Sequence, residues 1–337
     1  MITLIFVLVL LLVFPLFFPG YYITELLVSF LPYLAAISAV FVIISFVHLR
    51  KKIKPDYPIP VHRYFRGASF FVFCFLFFWY SKQFNTFYIP KIDSTTGKQF
   101  NISNSSTGDL KILFANIHKN NIQYDEIKKT ISNADPDIIM FVEFADHHYS
   151  HLKEFLQKQY PYINNVSRSK KFIGNVVFSK YPLSNKANDF PQGMRRYGYF
   201  SIFYQNQEIY FYLVHTSSPN SYNHYIMRND QIVTLVKDFK NHENIQKHDN
   251  IVVIGDFNIT PWSSYYETLS SAFSGELLNV DKRIPFLFTR RLNILPLFFA
   301  HIDHLWASFG LNVPQFNALT MPGSDHKAFL FTLSIKK

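Results

Sequence analysis

Cysteine is nearly absent from this 337-residue chain, which has only one, Cys74. A single cysteine permits no intramolecular disulfide, so cysteine content gives no information on the redox compartment. No group of cysteines and histidines has the spacing of a zinc site, which argues against a fold built around structural zinc. The chain also has no internal repeat, and its length corresponds to one or two domains.

Charge is absent from long stretches near the N-terminus. Residues 2–18 and 26–47 contain no charged side chain, and residues 67–81 form a shorter uncharged run. Buried core helices are normally amphipathic, whereas these runs are apolar all round. A cleaved signal peptide is the alternative for the first run, which lacks a basic leader and a small-residue cleavage site. We predict a membrane anchor over residues 1–82 with three transmembrane helices at 2–18, 23–47 and 65–82.

Basic residues predict the orientation of this anchor. The loop at 48–66 carries six Lys or Arg residues, and the loop between the first two runs carries none. Under the positive-inside rule, 48–66 lies in the cytoplasm and the chain after residue 82 lies outside it. If the third run does not span, the remainder of the chain is cytoplasmic instead.

The net charge of +10 is concentrated in the predicted anchor. Residues 1–108 contribute +6, with nine basic and three acidic side chains, and the remaining 229 residues contribute +4. Most of the excess is therefore explained by membrane topology, and it gives only weak support to a nucleic-acid-binding surface.

A polar segment at 83–108 is typical of a linker, and residues 109–337 have the length of a single α/β domain. Apolar runs predict strands at 110–116, 137–143, 175–179, 198–204, 208–216, 251–256, 304–308 and 327–335. Helical spacing predicts helices at 124–134 and 222–241. This mixed order indicates packed sheets flanked by helices.

Polar side chains recur at the ends of these predicted strands. They are Asn116, Glu143, His215, Asp256, Asn258, Asp303, Asp325 and His326. Each alone is explained by a turn, a solvated strand end or a partly buried histidine. Together they provide carboxylate and amide oxygens, which suit Mg²⁺, beside histidines that exchange protons. Hydrolysis of a phosphoester needs this combination.

Seven segments carry a family resemblance: "ILFANI", "DIIMFVE", "GNVVFSKYPL", "VHT", "VIGDFN", "IDHLW" and "GSDHKAF". In order and approximate spacing they resemble the endonuclease/exonuclease/phosphatase superfamily, which includes deoxyribonuclease I-like nucleases, neutral sphingomyelinases and inositol polyphosphate phosphatases. The resemblance covers 110–337 and implies a four-layer α/β sandwich with the site at one edge of two packed sheets.

The resemblance also implies roles for individual residues. Asn116, Glu143 and Asp325 are expected at the metal, with Mg²⁺ as the cofactor and Mn²⁺ as an alternative. The catalytic set is expected to be Asp256, which positions or deprotonates water; Asn258, which orients phosphate and water; His215, which contacts phosphate; and His326 paired with Asp303.

The substrate is left open by these motifs, because family members share a mechanism and differ in what they hydrolyse. The predicted anchor resembles a membrane-anchored bacterial branch associated with lipid-linked phosphates such as undecaprenyl pyrophosphate. This implies a protein of the bacterial cell membrane whose catalytic domain faces outward and whose partners are the bilayer and a phosphorylated substrate. A tethered nuclease and a non-catalytic envelope scaffold are the alternatives.

Several arginines have two readings. The segment 283–300 contains Arg283, Arg290 and Arg291 within a dense apolar run. It is either a core element with solvated arginines or an active-site loop with an arginine that contacts phosphate. Three other residues, Arg195, Arg196 and Arg228, are interpreted as surface or structural charges.

Overall fold

A computed structural model describes residues 13–15, 17–50, 59–88, 108–167, 172–184, 197–241, 250–284, 286–292 and 298–336. The described part of the chain divides into two units, which are treated separately. One comprises Met1–Lys91 and Trp262–Ser264, and the other Ile92–Pro261 and Tyr265–Lys337. Most of the predicted linker lies outside the described residues, as do Arg195 and Arg196.

The first unit is helical. Its helices are α1 (Tyr22–Val28), α2 (Leu31–Arg50) and α3 (Ile59–Tyr88). Helices α2 and α3 pack through buried Leu34, Phe73 and Leu76, and the rings of Phe41 and Phe73 stack 4.9 Å apart. The outward faces are also apolar: Ile43, Phe71 and Phe78 are 64%, 72% and 68% exposed, and other large exposed side chains are Val40, Ile44, Val47 and Phe75.

The three predicted transmembrane helices are not supported as separate spans. Among the described residues, no single helix combines the length and hydrophobicity needed to cross a bilayer. Tyr22–Val28 and Leu31–Val47 meet that requirement only as a pair, joined at a 72° bend. The predicted span 23–47 is this bent pair, 65–82 lies inside α3, and most of 2–18 lies outside the described residues.

The second unit contains two mixed β-sheets flanked by helices. Its helices are α4 (Tyr124–Ala134), α5 (Asp146–Gln159), α6 (Tyr222–Asn241) and α7 (Ser264–Phe273). Its strands are β1 (Leu110–Asn116), β2 (Ile138–Ala145), β3 (Tyr162–Ser167), β4 (Phe172–Ser179), β5 (Tyr197–Tyr204), β6 (Gln207–His215), β7 (Ile251–Asp256), β8 (Leu277–Asn279), β9 (Arg290–Arg291), β10 (Phe299–Ala300), β11 (Asp303–Ser308), β12 (Leu311–Asn312), β13 (Phe316–Thr320) and β14 (Lys327–Ile335).

The first sheet has the order β12-β14-β1-β2-β4-β3, with β13 also paired to β14. The second has the order β5-β6-β7-β11-β8, and β9 and β10 form a small separate pair. Strand β1 is parallel to β2, and β6 is parallel to β7; the other pairs are antiparallel.

Successive side chains of each strand point to opposite faces of the sheet, which explains how the sheets and helices form layers. Ile112 and Phe114 of the first sheet share one buried core with Leu213 and Ile254 of the second. The opposite face of the first sheet packs on α4 and α5, for example through Leu152. The outer face of the second sheet packs on α6 and α7, where the rings of Phe239 and Phe273 and of Phe273 and Trp306 meet. This arrangement agrees with the expected sandwich of two sheets between helices.

Candidate active site

All eight predicted site residues lie at strand ends or next to them. The backbone register pairs Asp256, the last residue of β7, with both His215 of β6 and Asp303 of β11. The approach of β7 to β6 depends on Gly255, because a Cβ atom there would lie 2.0 Å from the carbonyl oxygen of Val214. The neighbouring strand ends therefore bring residues from distant parts of the chain together.

Glu143 lies at an irregular point of β2. It has a φ of 57°, and the pairing of β2 with β4 shifts register between Phe141 and Phe144, as in a β-bulge. Oε2 accepts a hydrogen bond from the backbone N–H of Lys119 at 3.0 Å, and Oε1 lies 3.6 Å from Nε2 of His215. Burial would raise the pKa of Glu143, but His215 and the donated hydrogen bonds outweigh it and lower the pKa to about 2. Glu143 is therefore an anion at neutral pH.

Asn116 joins the ends of the two sheets. Its Nδ2 donates to Oε1 of Glu143 at 3.2 Å and to Oδ2 of Asp256 at 3.1 Å. Its Oδ1 accepts the backbone N–H of His118 at 3.0 Å. Because an amide oxygen has two lone pairs, one remains for a metal ion or water.

Asp256, His326 and Asp303 form a fully buried group. Nδ1 of His326 lies 2.9 Å from Oδ2 of Asp303, and its Nε2 lies 3.7 Å from Oδ2 of Asp256. Burial and the negative charge of Asp303 raise the pKa of Asp256 to about 7. Burial would lower the pKa of His326, but Asp303 and Asp256 outweigh it and raise the pKa to about 9. The histidine therefore carries a positive charge between two acids.

Asp325 occupies a different position from the other predicted metal ligands. Its Oδ2 accepts a hydrogen bond from Nε of Arg290 at 3.1 Å, and its Oδ1 is 4.0 Å from Nε2 of His326. It is connected to Asn116 through its neighbour Ser324, whose Oγ donates to the carbonyl oxygen of Asn116. The structure thus brings Asn116 and Glu143 into direct contact, and Asp325 is paired with an arginine beside them.

Asn258 is tied mainly to the backbone. Its N–H donates to Oδ1 of Asp256 at 2.9 Å, while its side-chain Nδ2 donates to the carbonyl oxygen of Thr216 at 3.0 Å. Arg228 donates to the carbonyl oxygen of Asn258 and is only 2% exposed. Arg228 is therefore a structural charge, as one of its two interpretations held.

The donor set fits a divalent metal ion. Asp256, Asp303 and His326 each offer a ligand atom, and these atoms lie within 4.8 Å of one another. Oδ1 of Asp303 is buried without a hydrogen-bond partner among the described residues, which is unfavourable for a carboxylate oxygen unless a ligand compensates it. Next to this group, the carboxylate of Glu143 and the remaining lone pair of the Asn116 amide oxygen offer the oxygen ligands that a hard cation prefers.

A second buried cluster was missed from the sequence. Asp281, His301 and His304 are fully buried, and Oδ2 of Asp281 lies 2.8 Å from Nε2 of His301 and 2.9 Å from Nδ1 of His304. Burial would raise the pKa of Asp281, but the two imidazoles hold it below its usual range. The segment "HIDH" contains both histidines, but Asp281 lies 20 residues earlier, and only the fold brings it there.

A cleft of about 430 Å³ adjoins the acidic group. Its wall includes His326 and Asp325, and the β9–β10 pair forms part of the rest. The lining residues are His118, Phe288, Thr289, Arg290, Arg291, Phe299, Thr320, Gly323, Ser324, Asp325, His326 and Lys327. Residues 288–291 and 299 of the segment 283–300 therefore border the cleft, and the contact of an arginine with phosphate stays a prediction.

The second unit is thus an α/β protein of two mixed sheets, with a cluster of acids and a histidine at neighbouring strand ends. The chain belongs to the Endonuclease/Exonuclease/phosphatase family, whose sequence model matches residues 99–326. Members of this family are hydrolases that act on phosphoesters and depend on a divalent metal. The predicted family is thus confirmed, whereas its membrane-anchored bacterial branch stays a prediction.

Solved structures share the fold at low sequence identity. A humanized D. rerio TDP2 with 14 mutations is 14% identical, with a TM-score of 0.52, over 67% of this chain and 99% of that chain. Sphingomyelinase C from Streptomyces griseocarneus is 16% identical, with a TM-score of 0.50, over 67% of this chain and 99% of that one. A family protein from Bacteroides thetaiotaomicron is 15% identical, with a TM-score of 0.52, over 69% and 100%. No curated protein sequence matches the chain significantly.

Proposed function

We propose that this protein is a Mg²⁺-dependent hydrolase that cleaves a phosphoester or pyrophosphate bond of a lipid-linked or other envelope substrate. One observation carries the proposal: Glu143, Asn116, Asp256, His326 and Asp303 form an unbroken series of contacts across both sheets. Four of these five side chains are ionisable, and such a concentration of buried charge is unfavourable unless a metal and a phosphate complete it.

Each residue has a role that its surroundings support. Glu143 and Asn116, with Asp325 nearby, hold the metal, which neutralises charge on the phosphoryl oxygens when bound. Asp256 accepts a proton from the attacking water, because its raised pKa makes it a better base than an ordinary aspartate. His326, oriented by Asp303, supplies positive charge and a proton to the phosphate side.

The location at a membrane is part of the proposal. The outward faces of α2 and α3 present large apolar side chains such as Ile43 and Phe71 to their surroundings. Exposed apolar surface of this extent is typical of a contact with lipid or another protein. We propose that the first unit anchors the protein in a bacterial cell membrane, with the second unit outside the cytoplasm.

The test uses the full-length chain in detergent with Mg²⁺ or EDTA. A lipid pyrophosphate, sphingomyelin, duplex DNA and RNA are offered side by side, and products are measured. Glu143→Ala is expected to abolish Mg²⁺-dependent release of product, and Glu154→Ala, an exposed acid on α5, is the matched control. Equal activity in wild type and Glu143→Ala would reject the hydrolase.

The salt dependence of turnover separates the lipid substrate from a nucleic acid. Cleavage of a nucleic acid should weaken steeply with ionic strength, because counterions are released on binding, and lipid hydrolysis should weaken much less. Turnover of DNA or RNA alone would make the protein a tethered nuclease. No turnover of any substrate, with a stable fold, would favour the scaffold.

A further inference from the structure

We propose that the cleft beside His326 is a subsite for a second anionic group of the substrate, held by Arg291 and Lys327. This inference rests on the proposed phosphoester hydrolase and specifies its substrate class: a phosphoester whose scissile phosphate is followed by a second phosphate. The preferred form of that substrate is a pyrophosphate carried on an apolar or planar group.

The three Arg and Lys side chains in the wall of this cleft differ in their ion pairing. Arg290 is neutralised by Asp325 at 3.1 Å. Arg291 and Lys327 also line the cleft, are exposed, and have no ion pair among the residues that the structure describes. Two uncompensated cations in one cleft favour a ligand with more negative charge than one phosphodiester carries.

Backbone hydrogen bonds fix the position of these two cations relative to the site. The N–H of Arg291 donates to the carbonyl oxygen of Asp325 at 2.8 Å, and the N–H of Lys327 donates to that of Thr289 at 2.7 Å. Their chain neighbours Arg290 and His326 pair with each other in an antiparallel β-bridge. Both cations line the same cleft as Asp325 and His326, which places them within reach of a phosphate that adjoins the proposed scissile one.

The remainder of the wall indicates what carries the two phosphates. The rings of Phe288 and Phe299 lie 6.1 Å apart and line the same cleft. A volume of about 430 Å³ is that of a site for one small organic group. This part of the wall therefore suits a phosphorylated apolar or planar group.

The test measures competition and direct binding with the full-length chain in detergent and excess Mg²⁺. Inorganic phosphate and inorganic pyrophosphate compete with hydrolysis of bis(p-nitrophenyl) phosphate, a diester with a single phosphate. Wild type is expected to bind pyrophosphate at least about tenfold more tightly than phosphate. The double variant Arg291→Ala/Lys327→Ala is expected to lose this preference, with kcat for the diester unchanged within about threefold.

The control double variant is Lys129→Ala/Lys153→Ala, which removes the same charge from exposed helical positions on α4 and α5. It should keep the preference for pyrophosphate. Equal weakening of phosphate and pyrophosphate in both double variants would mean a general charge effect and would overturn the subsite. Equal affinities of the two anions for wild type would overturn it as well.

Calorimetry measures the binding of both anions to the same proteins without any hydrolysis. It therefore tests the subsite separately from the proposed hydrolase activity. If neither the diester nor any substrate offered above is hydrolysed but pyrophosphate binding depends on Arg291 and Lys327, the hydrolase fails and the subsite stands. An oligonucleotide single strand, tested against the pyrophosphate, distinguishes the two sources of a second phosphate. Stronger dependence on the two cations for the oligonucleotide would overturn the pyrophosphate assignment.

Discussion

Strand β11 supplies neighbouring residues to two buried acid–histidine groups that look alike and differ in function. Asp303 lies 2.9 Å from His326, and His304 lies 2.9 Å from Asp281. In the second group, His304 also bonds to the carbonyl oxygen of Ile259, and Asp281 also accepts the N–H of Leu305. The first retains a carboxylate oxygen, Oδ1 of Asp303, without a partner among the described residues.

The comparison teaches that residue type does not identify a functional site. Both groups contain the same two kinds of side chain at the same separation and both are buried. What distinguishes the Asp303 group is its position beside the cleft, which His326 lines, and the presence of two carboxylates in one buried site. We expect substitutions to separate the two groups into one that sets activity and one that sets stability.

Asp256→Asn is expected to have the largest effect. It removes the base, so kcat/KM should fall by about 10³-fold or more. Because burial and Asp303 disfavour the Asp256 anion, the melting temperature in EDTA should stay constant or rise. Kinetics and thermal unfolding of the full-length chain measure both effects, and Asp230→Asn on the exposed face of α6 is the control. A large drop in melting temperature would contradict the comparison.

Asp281→Asn is expected to act in the opposite way. Its loss removes the carboxylate to which the imidazole of His304 and the N–H of Leu305 bond in a fully buried site, which should lower the free energy of unfolding by about 1–3 kcal/mol. Below the melting temperature, kcat per folded molecule should stay within about threefold of wild type, because Asp281 does not contact the proposed site. Denaturation with urea and active-site titration test this, and a loss of kcat comparable to that of Asp256→Asn would refute it.

The pH dependence of stability should have opposite signs in the two groups. The pKa of Asp256 is raised from 3.8 to about 7 and that of His326 from 6.5 to about 9, so the folded state holds their protons more tightly. Their favourable contribution is therefore present at low pH and lost as pH rises through these values. The pKa of Asp281 is lowered, so its contribution is present above 3.8 and lost as pH falls.

Melting temperatures between pH 4 and 9 in EDTA measure these slopes. The gap between wild type and Asp281→Asn should narrow toward pH 4. The difference in melting temperature between Asp256→Asn and wild type should instead grow as pH rises. Mg²⁺ should reduce this difference by stabilising the carboxylate of Asp256. If the melting temperatures of the two variants changed with pH in the same way, the predicted difference between the two buried groups would be wrong.

His148 provides the smallest expected effect. It is buried and saturated by the backbone, since Nδ1 accepts the N–H of Ala145 at 2.9 Å and Nε2 lies 2.8 Å from the carbonyl oxygen of Asn121. Burial lowers the pKa of His148 to about 4. Its contribution to stability is therefore complete above pH 6.5 and is lost as pH falls toward about 4. His148→Asn should lower stability by about 1 kcal/mol at pH 7.5 and less at pH 5, with activity unchanged. A constant difference at both pH values would count against this linkage.

The strands that carry the site could be predicted because each is an uninterrupted apolar run that ends in a polar residue. Strands β1, β7 and β14 and helices α4 and α6 have the predicted bounds. Helix α5 was missed although Leu152 and Leu156 have helical spacing, because its first turn is polar and rich in histidine. Strand β13 was missed because its partner strand, not its composition, holds it in place.

The site was predictable as a set of residues and not as a set of contacts. The sequence placed Asp325 among the metal ligands, whereas the structure pairs it with Arg290, 35 residues away. The Asp281 group could not be found, since it depends on a short 3₁₀ turn (Asp281–Arg283) that the register of β8 and β11 brings against His304. Such contacts depend on tertiary packing, which local patterns do not encode.

The pairing of β11 with β7 has a consequence for the fidelity of folding. Successive residues of a strand face opposite sides, so a slip of one residue would bring His304 to the place of Asp303 in one direction, or Asp303 to the place of His304 beside the ring of Tyr266 in the other. The product would be a compact molecule with two unmatched charges and no working site. Two side chains hold the backbone of β11 against such a slip: Thr289 accepts the N–H of Asp303, and Asp281 accepts that of Leu305. The Asp281 cluster thereby helps to set the register that brings the candidate site together.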